Sequence, residues 1–138
     1  MNKNQQDPTI EETDVFLPNF GKINSINGAM PVAVQNVETS EVILIAYTNR
    51  EALLESMKSK LAVFWSTSRN ELWVKGATSG NHFELIEVLV NCEQNSLVYR
   101  VKPRAGGICH TKNKAGEPRN CFYRRLSIET MQLENLNP

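Results

Sequence analysis

The chain has 138 residues, 41% of them hydrophobic and 22% charged, enough to bury one sizeable core but cramped for two independent ones. Fifteen basic residues against fifteen acidic ones leave no formal net charge, which removes the general electrostatic case for nucleic acid or an anionic membrane and favours a small, locally bound ligand. No apolar run is long enough to span a bilayer, Met1-Asn2-Lys3-Asn4-Gln5-Gln6 lacks the apolar core of an export signal, and three cysteines suit reduced thiols in the cytoplasm better than a disulfide framework.

Residues 1–13 are polar and without apolar periodicity, and read as a flexible N-terminal tail. A single domain is expected over residues 14–126, with residues 127–138 as a C-terminal tail. Asn27-Gly28 marks a turn before a first strand, Met30 to Val37, and the polar turn Glu38-Thr39-Ser40-Glu41 leads into a second, Val42 to Tyr47. Thr48-Asn49-Arg50-Glu51 has the spacing of a capping box, a hydroxyl followed three residues later by a glutamate. A helix is therefore predicted near residues 49–58, with Ala52, Leu53, Leu54 and Met57 as its packing face. Leu61 to Ser66 and Leu72 to Val74 read as strands turned at Arg69-Asn70. His82 to Val90 and Leu97 to Val101 follow, joined by Glu93-Gln94-Asn95-Ser96. Six or more strands with one clear helix do not alternate as a doubly wound sheet requires, so the expected class is mainly β within α+β, an antiparallel sheet or partly closed barrel.

Two groups of residues carry chemistry. Thr67-Ser68-Arg69 and Lys75-Gly76-Ala77-Thr78-Ser79-Gly80-Asn81 flank the strand of Trp73, where hydroxyls, backbone N–H groups and cations can converge on a phosphate. Two ordinary turns with solvated cations would read the same way, and no GxxxxGK[ST] loop is present. The second group is Gly106-Gly107-Ile108-Cys109-His110-Thr111 with Asn120-Cys121-Phe122-Tyr123-Arg124, in a glycine-punctuated basic loop, and Cys92 at the end of an apolar run. Three thiolates can hold zinc tetrahedrally and leave a fourth position for water. Intervals of sixteen and eleven residues with no CxxC pair are equally compatible with buried or incidental thiols. Adjacent side chains diverge, so His110 reads as a base beside the metal rather than a fourth ligand.

Several segments, in order and nearly in spacing, resemble the phosphoribosyl-AMP cyclohydrolase family. They are Met30 to Gln35, Glu41 to Leu53, Trp65-Ser66-Thr67-Ser68-Arg69, Leu72 to Asn81, Cys109-His110-Thr111 and Cys121-Phe122-Tyr123-Arg124. The resemblance implies hydrolytic opening of the N1–C6 bond of the purine ring of 1-(5-phosphoribosyl)-AMP by a zinc-activated water, a step of L-histidine biosynthesis. It implies zinc on Cys92, Cys109 and Cys121, His110 as the catalytic base, and substrate binding by Arg69, Trp73, Lys75, Thr78, Ser79 and Gly80. It further implies an intertwined homodimer whose zinc site is completed across the subunit interface.

This sequence departs from the family pattern twice. The family reads D-C-D-x-D at its first cysteine and holds magnesium there, whereas this chain has Asn91-Cys92-Glu93-Gln94-Asn95. A hard cation loses most of its attraction with two of three carboxylates gone, so magnesium on Asn91, Glu93 and Asn95 would be weak. The stretch Lys112 to Arg119 is also longer than the usual spacer, as a surface insertion would be. Beside the cyclohydrolase stand two alternatives: a zinc hydrolase of the same fold acting on another purine nucleotide, and a non-catalytic zinc-stabilised nucleotide-binding dimer.

Overall fold

The computed structural model describes residues 14–16, 28–75, 82–104 and 111–138. The tail at 1–13, and Thr78, Ser79, Gly80, Cys109 and His110 among the candidate site residues, lie outside the described residues. Strands β1 (Met30–Asn36) and β2 (Val42–Thr48) form an antiparallel pair with a bulge between Val34 and Gln35. Helix α1 (Arg50–Ser59) follows, then the antiparallel pair β3 (Val63–Ser66) and β4 (Glu71–Val74). Strands β5 (Phe83–Val90) and β6 (Leu97–Pro103) are antiparallel, and a short hairpin, β7 (Arg124–Leu126) with β8 (Leu133–Asn135), comes last.

The main sheet has the order β2-β1-β6-β5 and is mixed, because β6 joins β1 in parallel, Val32 opposite Leu97 and Asn36 opposite Val101. It stays open and does not close into a barrel. A single bridge, Leu61 to Glu84, with the Ala62 N–H donating to the Phe83 carbonyl at 2.8 Å, ties the start of β3 to the start of β5. Alternation along the strands sends one set of side chains to the core. Met30, Val32, Val34, Ala46, Leu97, Tyr99 and Val101 meet Leu53, Ala62, Phe64 and Phe83 there. The Phe64 ring lies 5.2 Å from Trp73 and 5.8 Å from Tyr99, so three aromatic rings run from the core to the β4 surface.

The helix starts one residue later than the capping box suggests. Asn49 is the N-cap, its side-chain oxygen accepting from the Ala52 N–H at 2.8 Å. Thr48 instead ends β2 as a buried residue, its hydroxyl 3.4 Å from the Tyr99 hydroxyl. The buried face is also narrower than the apolar stripe. Ala52, Leu53 and Ser56 are covered, whereas Leu54 and Met57 are exposed. Ser56 explains the choice: its Oγ lies 2.9 Å from the Ala52 and Val63 carbonyls and accepts from the Val63 N–H at 2.9 Å, fixing helix to strand through a buried polar junction.

Candidate active site

Trp73 and Lys75 alternate with Val74 and so share one face of the β4 end. Trp73 rests on Phe64 and keeps 36% of its surface exposed, which fixes the ring while leaving part of it open to a ligand. The Lys75 ammonium stands 5.5 Å from the centre of the Phe83 ring, a cation over an aromatic face. Arg69 lies on the β3–β4 turn, where its backbone N–H and Nε reach the Ser66 hydroxyl at 3.2 and 3.3 Å and its Nε reaches Glu71 at 3.3 Å. The turn thus presents Arg69 at the rim of the face that carries Trp73 and Lys75. Trp65, the other tryptophan, is half-buried on β3.

Cys92 is exposed on the β5–β6 turn, and Cys121 is exposed beside the other edge of the sheet, its N–H donating to the Ile43 carbonyl of β2 at 3.0 Å. Edge strands β2 and β5 are three strand spacings apart, on the order of 14 Å. Two sulfurs on one zinc are held within about 4 Å by bonds of about 2.3 Å. Cys92 and Cys121 thus sit toward different sides of the sheet, and among the described residues no three His, Cys, Asp or Glu side chains converge as a metal site. Exposed cysteines on loops are a donor type that suits zinc.

The Asn91–Asn95 turn is closed on itself. The Asn91 Oδ1 accepts from the N–H groups of Asn95 and Ser96 at 2.9 and 3.0 Å, and its Nδ2 donates to the Asn95 Oδ1 at 2.6 Å. The Asn95 Nδ2 in turn donates to the Glu93 Oε2 at 2.8 Å. Both amide oxygens and one carboxylate oxygen are thereby committed. Magnesium demands a near-octahedral oxygen shell, and this set does not fit it.

The longer loop also closes on itself. Asn113 and Glu117 exchange hydrogen bonds, the Asn113 N–H to the Glu117 carbonyl at 3.0 Å and the Glu117 N–H to the Asn113 Oδ1 at 2.8 Å, and Lys112 bridges Pro118. Gly116, at φ 78°, takes the left-handed position of the tip. Thr111 and Arg119 stand at the neck of this hairpin; in sequence Cys109 precedes Thr111 by two residues and Cys121 follows Arg119 by two.

On the sheet face turned away from the core, one registered row crosses all four strands: Ile45, Ala33, Val98 and Leu89. Ile45 is 54% and Leu89 48% exposed. The shallow depression between them is bordered by Asn91, next to Cys92. The neighbouring row is polar, with Arg100 bound to Glu87 at 2.7 Å and to Gln35 at 3.1 Å. Sequence reasoning did not anticipate this apolar row, because it emerges only from the inter-strand register.

The family model described as phosphoribosyl-AMP cyclohydrolase matches residues 44–123. A phosphoribosyl-AMP cyclohydrolase of Chloroherpeton thalassium is 38% identical over 89% of this chain and 83% of its own length, and one of Cenarchaeum symbiosum 48% identical over 72% and 86%. A histidine biosynthesis bifunctional protein of Thermus thermophilus is 48% identical over 72% of this chain, which spans 44% of that longer protein. The chain belongs to the phosphoribosyl-AMP cyclohydrolase family, and with it to the hydrolases of histidine biosynthesis. No helix among the described residues is long and apolar enough to cross a membrane.

Proposed function

We propose that this protein opens the purine ring of 1-(5-phosphoribosyl)-AMP at the N1–C6 bond, in the cytoplasm, as a homodimer with zinc held by Cys92 of one subunit and Cys109 and Cys121 of the other. The observation that carries the reading is the match over residues 44–123, which contain every residue named here for chemistry. Support for the dimer comes from the separation of Cys92 and Cys121 across the sheet and from the apolar row that borders the Cys92 turn. A second copy laid on that row would cover Ile45 and Leu89 beside the Cys92 turn.

In this reading each residue has a definite task. Zinc, when bound, supplies Lewis-acid activation of water, attenuated by the charge that three thiolates donate. His110 takes the proton released by that water and returns it to N1 as the ring opens, which keeps the departing nitrogen neutral. Trp73, propped by Phe64, offers an open surface on which the base stacks. Arg69 and Lys75, with the hydroxyls of Thr78 and Ser79 and the backbone at Gly80, meet the two phosphates. No role falls to magnesium at the Asn91 turn.

The self-contained Asn91–Glu93–Asn95 network favours a second reading, a shift to another purine nucleotide whose phosphates are held without that ion. Incubating the zinc-loaded protein with phosphoribosyl-AMP, with magnesium varied, and following loss of the purine absorbance separates the cases. Ring opening that does not need magnesium supports the proposal. No turnover of phosphoribosyl-AMP alongside turnover of another purine nucleotide would replace it with the second reading. Tight binding with no turnover at all would make the protein a nucleotide-binding dimer.

A further inference from the structure

Arg119 stands at the neck of the 112–118 hairpin and makes three contacts with separate parts of the chain. Its Nε donates to the Thr111 hydroxyl at 3.3 Å, its Nη1 donates to the Asn137 carbonyl at 2.8 Å, and its guanidinium lies 3.7 Å from the centre of the Tyr123 ring. All three partners are neutral, so the planar fork and the flat face of the group are used here rather than pairing with a carboxylate. The C-terminal hairpin locks the arrangement from the other side. The Leu136 N–H donates to the Tyr123 carbonyl at 2.8 Å, and the Asn113 Nδ2 donates to the Asn137 Oδ1 at 3.0 Å.

Thr111 directly follows His110, and Tyr123 lies two residues beyond Cys121. A contact that fixes Thr111 against Tyr123 therefore sets how far apart the chain leaves on its way to the two cysteines. The hairpin takes up the extra residues between them, and Arg119 pins its open end. We infer that Arg119 is a positioning residue for the reaction, holding the segment after Cys109 and His110 at a fixed separation from the segment of Cys121. This rests on the zinc-dependent reading above. The contacts of Arg119 are with Thr111, Asn137 and Tyr123, so its part in the reaction is exerted through them.

The test compares Arg119→Ala, Arg119→Lys, Thr111→Val and, at the exposed hairpin tip, Lys114→Ala. Zinc affinity is read by competition with a chromophoric chelator, kcat and KM on phosphoribosyl-AMP, and the melting temperature of the metal-free protein. Loss of groups that orient metal ligands costs roughly 10- to 100-fold in affinity, so Arg119→Ala is expected to weaken zinc by about 10-fold or more and lower kcat with KM held within about twofold. Arg119→Lys keeps the charge but loses the fork, and is expected to fall between. Thr111→Val shifts zinc affinity in the same direction by less, and Lys114→Ala leaves every value unchanged. Should Arg119→Ala fail to fold, Thr111→Val decides. The inference is overturned if zinc affinity and kcat in Arg119→Ala match the parent, or if they fall only as far as the metal-free melting temperature does in all variants. A parent protein that binds no zinc would instead sink the zinc reading itself, a distinct result.

Discussion

Replacing Ile45 by alanine tests whether the open sheet face is where two copies meet. Ile45 is 54% exposed in the single chain, and fully burying an isoleucine side chain is worth about 1.5–3 kcal/mol. About half of that remains to be gained on association, and a two-fold interface contains the residue twice. The substitution should therefore cost about 1.5–3 kcal/mol per dimer, roughly a 10- to 100-fold weaker dimer Kd. Leu89→Ala, at 48% exposure on the same row, should behave alike. The pair should not be strictly additive, because the two residues share one row. Ile128→Ala is the control, since Ile128 is 95% exposed on the β7–β8 turn and is no part of the four-stranded row. Sedimentation equilibrium over a range of concentrations gives the Kd directly. The reasoning is refuted if Ile45→Ala and Leu89→Ala leave Kd unchanged, and an equal loss in Ile128→Ala would move the interface to the C-terminal hairpin.

Two further predictions follow from buried or closed polar groups. Asn91→Asp with Asn95→Asp removes the side-chain bonds that close the β5–β6 turn, so the metal-free variant should lose about 1–2 kcal/mol and regain it with added magnesium or manganese, whereas the parent melting temperature should not respond to either ion. Equal stabilisation of the parent would show that the turn already takes a cation. Burial raises the pKa of the Tyr99 hydroxyl above its ordinary value of 10.0, and hydrogen bonds to Thr48 and Ser56 only partly offset this. Below that value both folded and unfolded chains keep the proton; above it the unfolded chain releases the proton first. Stability should thus fall as pH climbs past 10.0 towards the folded value. In urea melts Tyr99→Phe should flatten this alkaline decline while costing about 1 kcal/mol near neutrality. Parallel alkaline slopes in parent and variant would contradict the assignment.

What the sequence discloses depends on whether the relevant contacts are local. The β1–β2 and β5–β6 hairpins are legible because their turns, Glu38 to Ser40 and Glu93 to Ser96, are polar and short between apolar runs. The parallel pairing of β1 with β6 is not, since over sixty residues separate Val32 from its partner Leu97. The helix cap moved by one residue because Thr48 and Asn49 are both good caps, and burial against Tyr99 draws the threonine into the strand. Strand β8 sits in the stretch read as a tail; three residues, Leu133 to Asn135, with exposed side chains give no periodic signal. The long loop reads in sequence only as a surface insertion; that it turns back on itself, through Asn113 and Gly116, comes from the structure. In the site, Cys92 and Cys121 stand out by type, but the placement of one on the β5–β6 turn and the other beside the β2 edge is a property of strand order, which no residue pattern encodes.

A subunit-mixing experiment tests the proposed shared zinc centre most directly. Cys92→Ala and Cys121→Ala proteins should each lack zinc and cyclohydrolase activity when assembled alone. After the two are unfolded together and refolded as an equal mixture, half the dimers should be mixed, and in each of those one of the two sites regains all three thiolates. Zinc content and activity should then return to about a quarter of the parent value. No recovery, in a mixture shown by native mass spectrometry to contain the mixed dimer, would mean that the thiolates are not shared between chains, and with it the proposed centre would be lost.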